Sequence, residues 1–346
     1  MTNAGFLLAL RSHSPAGLFS GLAVSLCLLV TVIFSTLVLP STASAQNVDT
    51  RVANNNTASA GNATIKTSVI LPAATGAAQI IYNEVLEGVR SNPALDISTI
   101  TLQSDTQIAD VEQQVKSKQS KLVIAIGNKS YKLTKELNTD AMIIAGGISG
   151  KPNGIPMVSL TGDPEPTLAE LKRIAPHLTS VRLVYNEDIN GWWYKRAKTV
   201  AKKYDLEIVG YVADDIKDGV KLYEQLLDEA PAKKSAVWIP LRSVVPSKTI
   251  LPLLLERAWS KKLAVISNNP SHTKLGSLIA LYPAHRQMGS QLAEFAVQHY
   301  QQEASELIIG TRVLKVAINL RTSAHIGLRL SAKDRDSFHK IFPTKR

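Results

Sequence analysis

Apolar positions fall along this chain in three different ways. Residues 15–39 are dominated by apolar side chains and contain no charge. Residues 46–67 are rich in Asn, Thr, Ala and Ser, with few large apolar groups. Beyond that point short β-rich runs alternate with stretches whose apolar residues recur at helical spacing. Residues 68–71, Ser-Val-Ile-Leu, read as a buried strand, and residues 79–90 place Ile80, Ile81, Val85, Leu86 and Val89 on one helical face. Further strands are predicted at 95–102, 121–126, 141–145 and 156–160, with a helix at 108–118. Strands joined by helix-length connections make βαβ units and a mostly parallel sheet.

Residues 161–166, Thr-Gly-Asp-Pro-Glu-Pro, interrupt this rhythm as a crossing between domains would. The pattern then restarts with strands at 181–185, 206–212, 236–239, 263–266, 277–281 and 313–320. Helices are expected at 192–204, 220–228, 249–260 and 288–300, followed by a short helical carboxyl end. Two successive α/β units of similar size predict two Rossmann-like lobes with a cleft between them.

The apolar front segment changes the picture of compartment. Arg11 precedes it, Pro40 breaks it, and Ala43-Ser44-Ala45 supplies the small-x-small pattern of a signal peptidase site. Residues 1–45 are therefore expected to be a cleaved export signal, an uncleaved inner-membrane anchor being the alternative. Residues 46–66 follow as a flexible linker. Cleavage would remove the single cysteine, Cys27, and leave a thiol-free chain of about 300 residues suited to an oxidising periplasm. Of 39 basic and 28 acidic residues, the signal would take away only Arg11. The basic excess is dispersed, which argues against nucleic acid as a partner.

Ligands of open α/β sheets sit outside the carboxyl ends of strands and between domains. The strand-end loops carry Thr75, Asn128, Ser130, Asn186, Arg242, Asn268 and Tyr282. Most are neutral hydrogen-bonding groups fit for reversible capture of a small polar molecule, although Gly, Asn and Ser also populate turns for backbone reasons alone. Arg242 offers a planar fork for a carboxylate or phosphate, or points to solvent. Trp192, beside Trp193 and Tyr194, either stacks on a ligand or shields the amino end of its helix. Trp193 is expected to anchor that helix to the sheet. Lys195, Lys198 and Lys202 share a helical face, read as solvated. Neither phosphate-loop nor nucleophile-elbow nor metalloprotease spacing occurs, and no cofactor or metal is expected.

Several stretches resemble the ABC-transporter substrate-binding family that includes TrpX-type periplasmic proteins. They are Val181-Arg-Leu-Val-Tyr-Asn186, Trp238-Ile-Pro240, Leu278-Ile-Ala-Leu-Tyr282 running into Met288-Gly289, and Ile318-Asn-Leu-Arg-Thr322 with Ile326-Gly-Leu328. The chain departs from the family at Leu241-Arg242-Ser243, where a polar or acidic loop is usual, and at Gly146 to Pro152, which intervenes before the next strand. The resemblance implies a type I periplasmic-binding fold with a three-stranded hinge. One lobe would span residues 67–162 plus 283–310, the other 163–282 plus 311–346. It further implies a non-enzymatic component of an ABC importer that closes on an amino acid, carboxylate or other small polar solute. The partner would be an ABC permease in the inner membrane. The alternatives are an exported ligand sensor or interaction protein signalling to a membrane partner and, as a third reading, a hydrolase or transferase on the same scaffold.

Overall fold

The computed structural model describes residues 64–150 and 153–344, so the expected signal and the linker up to residue 63 lie outside the described residues. The chain first builds β1 (Ile65–Pro72), α1 (Gly76–Arg90), β2 (Leu95–Leu102), α2 (Ile108–Ser117), β3 (Leu122–Ile126), α3 (Gly127–Thr134), β4 (Met142–Ile148) and β5 (Met157–Gly162). It then forms α4 (Pro164–Ile174), β6 (Ser180–Tyr185), α5 (Glu187–Ala201), β7 (Glu207–Val212), α6 (Ile216–Glu229), β8 (Ser235–Ile239), α7 (Ser247–Lys261), β9 (Ala264–Ser267), α8 (Pro270–Leu275) and β10 (Ile279–Pro283). The chain returns to the first sheet through α9 (His285–Tyr300) and β11 (Ile308–Thr311). It ends on the second with β12 (Leu314–Asn319), α10 (Leu320–His325), α11 (Ala332–Asp336) and β13 (Lys340–Phe342).

Lobe 1 is a six-stranded sheet in the order β11-β5-β4-β3-β1-β2, parallel throughout. Lobe 2 is a seven-stranded sheet, β13-β12-β10-β9-β8-β6-β7, with one antiparallel pair, β10 with β12. Central strands are buried at every position and almost wholly apolar because helices cover both faces: β3 reads Leu-Val-Ile-Ala-Ile and β8 Ser-Ala-Val-Trp-Ile. The edge strand β2 instead mixes buried and exposed positions. On one face of the lobe-1 sheet, α1 and α9 pack Val85 and Val89 with Leu292 and Ala296. Two glycines bring these helices into backbone contact. A Cβ at Gly88 would lie 1.9 Å from the Arg286 carbonyl oxygen, and one at Gly289 would lie 2.0 Å from that of Val85.

Three chain crossings join the lobes and bond to one another. The Asp163 N–H donates to the Thr311 carbonyl at 2.8 Å, and the Ala284 N–H to the Val313 carbonyl at 3.1 Å. The two Rossmann-like lobes and their three-stranded hinge are thus formed as the pattern of alternating elements and the family resemblance implied.

Four local expectations are corrected. Residues 127–130 are the start of helix α3, which leaves β3 without an intervening loop. Gly146 and Gly147 lie inside β4, where the register with β5 shifts between Gly146 and Ile148. Residues 164–166 open helix α4, with Pro164 at its first position and Asp163 as its cap. Helix α5 begins at Glu187 because the Asn186 carboxamide caps it, so Trp192 stands in its second turn rather than at its start.

Candidate functional site

Two of the crossings fix where a cleft can lie. One leaves the carboxyl end of β5 for lobe 2, and another leaves the carboxyl end of β10 for lobe 1. The carboxyl ends of both sheets therefore border the same inter-lobe space. A direct contact spans it: Arg242, after β8, donates from Nη1 to the Ser149 carbonyl, after β4, at 3.1 Å.

The lobe-1 wall of this space holds a cavity of about 510 Å³. Its lining is largely apolar, with Ala74, Ile81, Tyr82, Ile126, Leu160 and Met288, and its polar members include Asn128, Lys129 and His285. Three helices begin there: α1, α3 and α9. None has a side-chain cap on its first-turn N–H groups, and none carries an acidic residue in that turn. In lobe 2 the helices α4, α5, α6, α8 and α10 are capped, by Asp163, Asn186, Asp215, Asn269 and Asn319, whereas α7, which follows Pro246, is not. Three sets of uncapped amide donors, with the positive ends of three helix dipoles, thus converge on one apolar cavity. The short β3–α3 junction depends on Gly127, whose φ is +82°; a Cβ there would stand 2.8 Å from the Tyr82 hydroxyl. Lys129 Nζ reaches the Gln103 carbonyl, and His285 Nδ1 lies 3.1 Å from a Glu84 carboxylate oxygen, so both rim groups are held in place.

The lobe-2 wall is built around two buried indoles. Trp193 of α5 and Trp238 of β8 meet edge to face, their centroids 4.5 Å apart. Trp193 Nε1 donates to the Gly162 carbonyl of the crossing at 2.9 Å, and Trp238 Nε1 donates to Asn268 Oδ1 at 3.1 Å. Asn268 Nδ2 is left buried without a partner, as is Asn190 Oδ1 one turn before Trp193. Next to Asn268, the Ser267 hydroxyl accepts from the Asn269 N–H and lies 2.8 Å from His272 Nδ1. Burial lowers the His272 pKa, which favours the neutral ring.

The expected site residues divide by what already occupies them. Thr75 is exposed immediately before α1, and Asn128 lines the cavity. Arg242 bridges the lobes, and Asn268 presents its free amide nitrogen beside Trp238. Asn186 uses both ends of its carboxamide, accepting from Ile189 N and donating to the Ala213 carbonyl. Ser130 is wholly buried with its hydroxyl unpartnered. Trp192 is half-buried against the lobe-2 core. Tyr282 lies under Lys340, 5.3 Å from ring centroid to ammonium, and burial raises its pKa. Tyr82, His285 and Met288 line the cavity from helices and were not among the expected ligand contacts. Their sequence signal as site residues is position alone: the second turn of a helix that follows a strand-end loop, or the helix that follows a lobe crossing.

The crossing itself is clamped from α5. Asp163, 4% exposed, caps α4 through one oxygen and accepts from Arg196 Nε at 2.6 Å through the other. Glu165 joins Arg196 and Lys203, and the hydrogen bond from Lys203 lowers its pKa. Arg196 of α5 and Lys203, just past its end, therefore tie that helix to the hinge.

The family profile described as ABC transporter substrate binding protein matches residues 66–330. No curated protein matches the chain. Among solved structures, the chain is similar to the ligand-free, open form of a substrate binding protein with adhesive properties from Clostridium difficile. The identity is 15% and the TM-score 0.53, over 82% of this chain and 100% of that one. It is also similar to an ABC domain in complex with L-Trp from Streptococcus pneumoniae, at 14% identity and a TM-score of 0.47, over 81% and 100% of the two chains. A conserved domain protein from Vibrio cholerae shows 15% identity and a TM-score of 0.47, over 80% and 99%.

Proposed function

Because the chain belongs to the ABC transporter substrate-binding protein family, we propose that it captures a small carboxylate with an apolar body between its lobes and hands it to a membrane permease. The observation that carries this reading is the convergence of three uncapped helix amino ends on an apolar cavity of about 510 Å³. That volume lies within the roughly 300–1,000 Å³ of small-molecule sites. Each helix end favours a nearby anion by about 0.3–1 kcal/mol in exposed geometry, and more where water is excluded. A sugar would use the amides but leave the apolar lining unmatched.

In this reading Asn128 and the free amides of residues 76–78, 127–129 and 285–287 receive the carboxylate. Thr75 adds a hydroxyl at the rim. Ile81, Tyr82 and Met288 cover the apolar body. Arg242 and the free amide nitrogen of Asn268 approach from lobe 2 when the hinge closes. The chain binds and releases without turnover, in the periplasm, after its signal is removed.

The test is a calorimetric titration of the purified chain against aliphatic and aromatic amino acids (L-Trp among them), simple carboxylates, sugars and nucleosides. Saturable binding is expected for carboxylates with an apolar body. Binding confined to sugars or nucleosides, or no binding at all, overturns the assignment.

A further inference from the structure

Helix α7 is apolar on two faces. Ile250, Leu251, Leu254 and Ala258 are buried in the lobe-2 core. Pro252, Leu255 and Trp259 form a second stripe at helical spacing, with Trp259 41% exposed. Beside it, α8 ends on Leu275, 65% exposed. Two open depressions of about 590 and 470 Å³ share Leu255 and Leu275, so the stripe and Leu275 make one continuous apolar surface. A second apolar stripe beside the buried one leaves α7 with more apolar surface than the fold covers.

Cations ring this surface. Lys248 lies one turn before the stripe, and Lys262 follows the helix as its left-handed carboxyl-terminal cap. Lys274 precedes Leu275, and the Arg321 guanidinium lies 5.8 Å from the Trp259 ring. Glu256 is the single carboxylate in the lining. Among the described residues none of these four cations is ion-paired. His325 stacks on the indole, at 3.5 Å between centroids and 6° between planes.

We propose that this outer face of lobe 2 docks on an anionic bilayer surface. Leu275 and Leu255 would enter the boundary with the acyl chains, and Trp259 would sit at headgroup depth. The four cations would meet lipid phosphates. The charge pattern selects this occupant: a second copy of the chain would oppose four cations to the same four. No residue lining the two depressions lines the lobe-1 cavity, so a protein lying on the membrane would keep that cavity free.

The experiment is hydrogen exchange on the full chain with vesicles of phosphatidylcholine alone and with vesicles in which about a third of the lipid is phosphatidylglycerol. Because it reads residues 247–262 and 270–276 locally, attachment through the amino-terminal segment does not mimic the result. Protection of these residues is expected with anionic vesicles and not with neutral ones. Lys274→Glu and Lys262→Glu should each weaken vesicle partitioning by about fivefold or more. Leu275→Asp, at an exposed position, should abolish the local protection while leaving ligand binding unchanged. No local protection, equal protection on neutral vesicles, or protection that grows with protein concentration without vesicles each overturns the proposal.

Discussion

Gly127 carries more of the site than any other single residue. It turns the chain from β3 into α3 with a φ of +82° and leaves room for the Tyr82 hydroxyl 2.8 Å from where a Cβ would stand. Gly127→Ala should cost about 2 kcal/mol of stability, from left-handed backbone strain and the clash, and should weaken ligand binding. In urea melts, Tyr82→Ala in the same chain should return the steric part of that loss; strictly additive effects would contradict the contact. His272 gives a second residue-scale test. Its folded-state pKa is lowered by burial, so the unfolded chain takes up a proton that the folded chain refuses. Stability is therefore complete above the ordinary imidazole range, near about 6.5, and drains as pH falls below it. Between pH 7 and 5 the protein should lose stability faster than His272→Asn does, by at most about 1.4 kcal/mol per pH unit. Parallel pH profiles would show that the ring does not sense its burial. At this scale the sequence exposed only part of the site. Asn128 lines the cavity from the end of β3, as a strand-end position can, whereas Tyr82 and Met288 come from helix faces that only tertiary packing aims at it.

Among the elements, the continuous apolar runs of β3 and β8 were plain in the sequence because interior parallel strands need apolar side chains on both faces. Helix α3 was hidden because Gly-Asn-Lys-Ser-Tyr-Lys-Leu-Thr reads locally as turn chemistry. Its helical state follows from docking on the sheet rather than from propensity. Helix α4 was hidden by Pro164 and Pro166, which punctuate a crossing and also suit a helix start. The tie from α5 to the hinge is testable directly. Trp193→Phe keeps the aromatic contact with Trp238 but leaves the Gly162 carbonyl without its indole donor. The expected loss is about 1–3 kcal/mol in equilibrium unfolding. A loss below about 0.5 kcal/mol would mean that water or another donor serves that carbonyl equally well.

At the scale of the whole molecule, two mostly parallel sheets present their carboxyl ends to one space, and three hydrogen-bonded crossings hold them there. That arrangement was legible from the alternation of strand and helix patterns, since βαβ units permit few topologies. The chemistry of the cleft was less so, because uncapped amides leave no side-chain signature. Arg242 is exposed and, among the described residues, bonds across the cleft to the Ser149 carbonyl alone. Arg242→Ala should therefore leave unfolding stability within about 0.5 kcal/mol while lowering ligand affinity and shifting the solution scattering profile toward an open form. Unchanged affinity would remove Arg242 from the closed state. The central claim, that the free helix ends of lobe 1 receive a carboxylate, is tested most directly by amide chemical shifts during a ligand titration. With a bound carboxylate, the N–H signals of residues 76–78, 127–129 and 285–287 should move together, and the matching carboxamide should move them little. Shifts confined to lobe 2, or identical for acid and amide, would contradict it.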